Sequence, residues 1–192
     1  MVKAFSSSNI KIKEFNMFCL NEEVVYPGYG VAKINKVIKK VISDKEITFY
    51  ELTFLNKDVT ILVPTENIQS IGLRPSSTSE NIKDAFNTIH NQNKENNQYS
   101  FLSTNWNKRN KEYQLKLRNG TLKDLLYIYK NLKDISNYKE LSFGEKNILQ
   151  QAESLLAEEI AVVEKVGPEK ATEQLRSLFV IQNNINNRAK SI

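Results

Sequence analysis

Between Gly72 and Ser79 the hydrophobic pattern of this chain changes its period, and the change limits the folds open to it. Before the break, apolar residues come in short runs rich in Val, Ile, Thr, Tyr and Phe: Glu23–Tyr26, 29–38, 47–55, 59–64 and a shorter run at 68–73. Turn-forming residues separate them, Pro27-Gly28-Tyr29-Gly30, Ser43-Asp44-Lys45 and Asn56-Lys57-Asp58. Five closely spaced antiparallel strands predict a small barrel or strongly bent sheet. Such a module leaves an open strand edge that a partner's strand can extend, unless Lys39, Lys40 and Lys45 blunt it.

After the break the apolar residues recur every three or four positions, which is the spacing of amphipathic helices. Ile82, Ala85, Phe86 and Ile89 form one such stripe, capped by Ser79 or a neighbour and ending at His90. An Asn- and Gln-rich loop, 91–103, leads to Trp106. Asn119-Gly120 stops the next helix, and Thr121 with Asp124 starts another whose buried stripe is Leu122, Leu125, Leu126, Tyr129 and Leu132. A second capping box, Ser142 with Glu145, opens a long helix over Ile148, Leu149, Ala152, Leu155, Leu156 and Val163, closed by Gly167-Pro168. A last helix at about 169–181 buries Ala171, Leu175, Leu178 and Phe179. The expected fold is α+β: a small β module, then an all-α bundle of about five helices. Its expected divisions are a flexible extension at 1–16, the β module at 17–75, the helical domain at 76–182 and a frayed tail at 183–192.

Charge is distributed unevenly. From Asn105 to Lys133 there are eight Lys/Arg against two acids, a local +6, whereas Glu140 to Glu173 holds eight glutamates against three lysines, a local −5. The basic segment surrounds the chain's single tryptophan with Lys108, Arg109, Lys111, Lys116 and Arg118. If Trp106 opens a helix, Tyr113 and Leu117 fall on its face at about 100° per residue. Arg109 and Lys116 then flank the stripe, and Lys108, Lys111 and Arg118 lie further round. Two readings stand: the three apolar residues pack into a core beneath solvated lysines, or the tryptophan meets a polyanion such as nucleic acid.

Other chemistries lack their residues. Cys19 is the one cysteine and His90 the one histidine, so an internal disulfide and a zinc site of the usual Cys/His kind are excluded. The six glycines make neither a phosphate loop nor a dinucleotide fingerprint. The adjacent carboxylates Glu22-Glu23 and Glu158-Glu159 point apart in any regular element and read as solvated. Neither catalysis nor a cofactor is expected. No apolar run is long enough to span a membrane and no signal-type block opens the chain, so a cytoplasmic protein is expected. Nothing resembles a heptad seam, which suggests a monomer.

Several motifs in order resemble one family. Val24-Val25-Tyr26-Pro27-Gly28-Tyr29-Gly30-Val31 is similar to the VVYPxxGV opening of the CarD family (CarD/CdnL) of bacterial RNA polymerase-binding transcription regulators. The run 59–64 resembles its TVxVP strand, and Gly72-Leu73-Arg74 the segment that closes the module. Thr104-Asn105-Trp106-Asn107-Lys108-Arg109 resembles the NW-x-(R/K)-R block, and Leu141-Ser142-Phe143-Gly144-Glu145-Lys146 the LSxxEK helix start.

The resemblance implies a Tudor-like module that binds the RNA polymerase β subunit and a helical domain that lies on promoter DNA with little sequence preference. It implies that Trp106 wedges into the minor groove at the upstream edge of the bubble while Lys108, Arg109 and Lys111 grip phosphates. On the polymerase side Lys40 matches a basic residue, and Leu62 stands where some members use a basic residue. Asn21-Glu22 replaces the usual Gly-Asp before the first strand. The implied function is to stabilise the open promoter complex. The alternative is a polymerase-binding adaptor or interaction module with no direct DNA role.

Overall fold

The computed structural model describes residues 18–91 and 105–189. The expected extension at 1–16 and nearly all of the expected loop at 91–103 lie outside the described residues. Five antiparallel strands come first: β1 Glu23–Tyr26, β2 Gly30–Ile42, β3 Lys45–Phe54, β4 Thr60–Pro64 and β5 Arg74–Pro75, in the order β4-β3-β2-β1-β5. Ser43 and Asp44 both take positive φ, 51° and 59°, as a tight two-residue hairpin turn requires, and this lets β2 and β3 pair out to Ile42 and Lys45. Alternation along β3 turns Tyr50, Leu52 and Phe54 inward, where they meet Ile34, Val63 and Ile68. The Tyr50 hydroxyl donates to the Phe18 carbonyl at 3.2 Å and fastens the start of the described chain to this core.

One expected strand is absent. Residues 68–73 do not extend; Ile68–Ile71 is a single helical turn, α1, that follows a 3-10 turn at Thr65–Asn67. Gly72 ends it in the left-handed region, its N–H donating to Ile68 and Gln69 carbonyls, and the fifth strand is Arg74–Pro75 instead. Ile68 and Leu73 still fill the β core, so the apolar spacing satisfied a turn of helix as well as a short strand.

The helices are α2 Ser79–Asn91, α3 Trp106–Asn119, α4 Leu122–Ser136, α5 Phe143–Glu164 and α6 Pro168–Ala189. Thr78, beside the expected Ser79, caps α2 by accepting from the Asn81 N–H at 3.2 Å. Thr121 caps α4 through the Asp124 N–H, and both halves of the Ser142/Glu145 capping box form at α5. α5 ends earlier than Gly167, because Lys165 itself takes the left-handed conformation with φ 52°. α6 continues to Ala189 rather than ending near Ile181; the sequence there holds neither Pro nor Gly to stop it. Tyr113, Leu126, Tyr129, Leu132 and Leu156 are buried at the centre of the helical core.

The helices and the sheet meet at the Pro27–Gly30 turn. Arg74 forks onto Glu159 of α5, Nη1 to Oε1 at 2.7 Å and Nη2 to Oε2 at 2.9 Å, and also donates to the Gly120 carbonyl at 3.1 Å. Ser77 donates its backbone N–H to the same carboxylate at 3.0 Å. The neighbouring Glu158 accepts from the Val31 N–H at 3.3 Å. The two glutamates expected to be solvated are therefore buried, and each serves a different segment of the β module because consecutive helix positions diverge by about 100°. Gly120, with φ 60°, has no room for a side chain: a Cβ there would stand 2.7 Å from Pro27 Cα.

Candidate nucleic-acid interface

Trp106 is the first residue of α3, and Asn105 caps that helix by accepting from the Asn107 N–H at 3.0 Å. α5 begins beside it. The side chain of Arg109 crosses from α3 to Glu145 in the first turn of α5, Nη2 to Oε1 at 2.9 Å, with both side chains nearly inaccessible to water. Lys139 approaches the same oxygen at 3.4 Å. The second oxygen of Glu145 accepts from the Ser142 N–H and hydroxyl, each at 2.9 Å. Burial works to raise the Glu145 pKa, but the Ser142 donors, Arg109 and Lys139 together outweigh it and hold the carboxyl below its ordinary value.

This clip places the indole. Trp106 is half-buried, packed against the helical core over Gly144, where a Cβ would come within 3.0 Å of its Cζ2. The Arg109 guanidinium sits 6.0 Å from the indole centroid, at the reach of a cation-π contact. Trp106 is thus neither enclosed like Tyr113 and Leu117 nor free to swing, and part of its ring faces solvent. Phe143, between the α5 cap and Gly144, is 80% exposed.

The expected cations divide. Lys108 and Lys111 are exposed on α3. Arg109, expected beside them as a phosphate ligand, is buried at 6% exposure and committed to Glu145. Lys116 turns to Asp124 of α4 at 2.9 Å and lies 4.5 Å over the Tyr127 ring. Arg118 remains exposed near the far end of α3.

In the β module, Lys40 is exposed and opposite Ile47, and Leu62 is 40% exposed and opposite Glu51. Ile47 and Glu51 lie on the same side of β3, so Lys40 and Leu62 share the face turned away from the Tyr50–Leu52 core. Lys36 and Glu51 pair at 3.4 Å on that face. β4 is one edge of the sheet, with β5 the other.

Two family models match in chain order, the CarD-like/TRCF RID domain over residues 18–77 and the CarD C-terminal domain over residues 84–176. The chain belongs to the CarD family. It is a CarD-like transcription regulator, not an enzyme, with a domain of the RNA polymerase-interacting type at its N-terminal side. Its five-stranded antiparallel sheet followed by helices is the α+β, Tudor-like arrangement expected from the sequence. A relative in Bacillus subtilis (strain 168), named "Putative transcription factor YdeB", is 23% identical over 150 residues, covering 78% of this chain and 94% of that protein. The solution structure of the 72-residue N-terminal domain of Myxococcus xanthus CarD is 24% identical, covering 30% of this chain and 77% of that one with a TM-score of 0.27. No helix among the described residues is long and apolar enough to cross a membrane.

Of the residues implied by the CarD resemblance, Trp106 and Arg109 come together at the α3 start, whereas Lys108 and Lys111 are exposed about 200° and 140° further round the helix from Trp106. No functional role follows from sequence for Glu145, whose only local signal is its place in the capping box, or for Phe143, although helical spacing puts it about 180° round from Ala152 and so off the core stripe of α5.

Proposed function

We propose that this chain binds the RNA polymerase β subunit through the outer face and edge of its β module, with Lys40 and Leu62 in the contact, and stabilises the open promoter complex through α3. Trp106 acts as the minor-groove wedge, and Lys108 and Lys111 hold phosphates. Arg109 positions the wedge through Glu145 instead of gripping DNA itself. The observation that carries this reading is a large ring left half-exposed at a helix start and fixed by a buried ion pair, with two exposed lysines on the same helix.

The physics is consistent with that assignment. Opening a promoter unstacks base steps, and an apolar group filling the gap opposes their closure by about a few kcal/mol per step. A fixed ring loses little freedom on insertion, so more of that contact survives as stabilisation. The bond from Arg74 to Glu159 and the packing of Gly120 on Pro27 tie the helices to the β module, so capture by polymerase would carry the wedge to the fork in a set orientation. Localisation with polymerase on the nucleoid follows from the same reading.

The adaptor reading draws on a different observation, the packing of the indole on Gly144, which an ordinary partly buried tryptophan would also show. Salt dependence separates the two. Promoter-fork binding by the polymerase complex should lose affinity with salt, and replacing Lys108 and Lys111 by alanine should reduce the slope by about 1.8 in log K against log salt, at about 0.9 per phosphate contact. An unchanged slope favours the adaptor.

A further inference from the structure

The opening of α5 carries an aromatic residue that the fold does not use. Phe143 is the most exposed large hydrophobic among the described residues, at 80%, although residues on either side of it are tightly held. Leu141 is buried, Ser142 closes the capping box, Gly144 lies under the Trp106 indole and Glu145 binds Arg109. The backbone at Phe143 is therefore fixed while its ring is left in water. Since adjacent Cα atoms are about 3.8 Å apart, Phe143 stands next to the residue that the indole covers.

The charges around the pair suit a phosphate-bearing partner. Lys108 and Lys111 are exposed on α3, and Lys139 and Lys146 flank Phe143 in sequence. Lys139 and Lys146 are themselves paired, with Glu145 at 3.4 Å and Glu140 at 2.7 Å, so these four lysines and Arg109 stand against Glu112, Glu140 and Glu145, a net +2. Glu112 is the exposed acid of α3. An isolated aromatic ring in a basic setting is what an unpaired base stacks on, since every base has a π-face and the backbone then lies within reach of the cations.

We propose that Phe143 is a second DNA-contacting residue, which stacks on an unpaired base at the edge of the bubble beside the step held open by Trp106. The inference rests on the wedge reading above. A duplex offers the ring a face only where a step is first unstacked, at a cost of about a few kcal/mol, whereas an unpaired base already presents one, so the occupant is the single-stranded side of the fork.

The test uses the full chain with RNA polymerase on a promoter carrying 2-aminopurine at successive positions across the upstream bubble edge. Open-complex lifetime and 2-aminopurine emission are measured for wild type, Trp106→Ala, Phe143→Ala and Phe143→Tyr, with melting temperature as a folding control. Phe143→Ala is expected to shorten the lifetime about tenfold, the equivalent of about 1.4 kcal/mol, and to abolish a quenching that wild type and Phe143→Tyr show at one position. Its melting temperature should match wild type. If Trp106→Ala shortens the lifetime but Phe143→Ala changes neither lifetime nor emission, the stacking role is overturned and the wedge reading stands. If Phe143→Ala shortens the lifetime with quenching intact at every position, Phe143 does not stack. Should Trp106→Ala itself have no effect, the wedge reading fails first. A lowered melting temperature for Phe143→Ala would assign the ring to the fold.

Discussion

Replacing Arg109 by methionine separates two roles for that residue, because they lead to opposite results. In the structure the guanidinium lies 2.9 Å from Glu145, and the two side chains are only 7% and 2% exposed. Removing one member of a buried pair strands the other, at a cost of about 3–5 kcal/mol. Here Ser142 still donates twice to Glu145 and Lys139 remains at 3.4 Å, so the lower end applies, about 3 kcal/mol. For a domain of this size that is a fall of roughly 5–10 °C in melting temperature. Denaturant unfolding followed by helical circular dichroism measures it, and Trp106 emission should shift to the red as the indole loses its support. Adding Glu145→Gln to Arg109→Met should recover part of the loss, because no buried charge is then stranded. A phosphate ligand behaves otherwise: Arg109→Met would leave stability within about 0.5 kcal/mol and lower the DNA salt slope by about 0.9. That pair of results would refute the positioning role.

Gly144→Ala would gain about 0.5–1 kcal/mol of helix propensity on an open surface, but with a Cβ 3.0 Å from Trp106 Cζ2 it should instead displace the indole, seen as altered Trp emission and quenching with no gain in stability. Glu159→Gln leaves Arg74 without its bidentate partner and should cost about 3 kcal/mol, together with faster proteolysis between the sheet and the helices; unchanged proteolysis would show that the junction is held by other contacts. Glu145 and Glu153 both titrate below their ordinary value of 4.5, Glu153 chiefly through its hydrogen bonds from Arg176. Their stabilisation is fully present above that value and is lost as the pH falls through the depressed folded-state values, so unfolding should steepen in acid and Glu145→Gln should make the curve shallower.

Local signals made much of this legible in advance. The capping pairs Thr121/Asp124 and Ser142/Glu145, the Asn119-Gly120 stop and the burial of Tyr113 and Leu117 each depend on residues within one or two turns, which is the range over which sequence pattern carries information. The misread run at 68–73 shows the limit, since Ile68 and Leu73 are buried in either conformation and the deciding feature is the left-handed Gly72. Contacts between distant segments were not legible at all. Glu159 reaches Arg74, Glu158 reaches Val31, and Glu145 reaches Arg109 36 positions away, so glutamates that look like surface charge turn out to bind the two halves and to seat the tryptophan. The division of the basic segment follows from the same cause: Arg109 and Lys116 face acids supplied by other helices, whereas Lys108 and Lys111 face outward.

The most direct test of the wedge is the lifetime of the open promoter complex with wild type and Trp106→Ala at saturating occupancy of polymerase, verified by co-purification with the β subunit. The expected result is equal occupancy with a lifetime shortened about tenfold or more for Trp106→Ala, as the loss of a contact worth a few kcal/mol requires. Equal occupancy with equal lifetimes would contradict it.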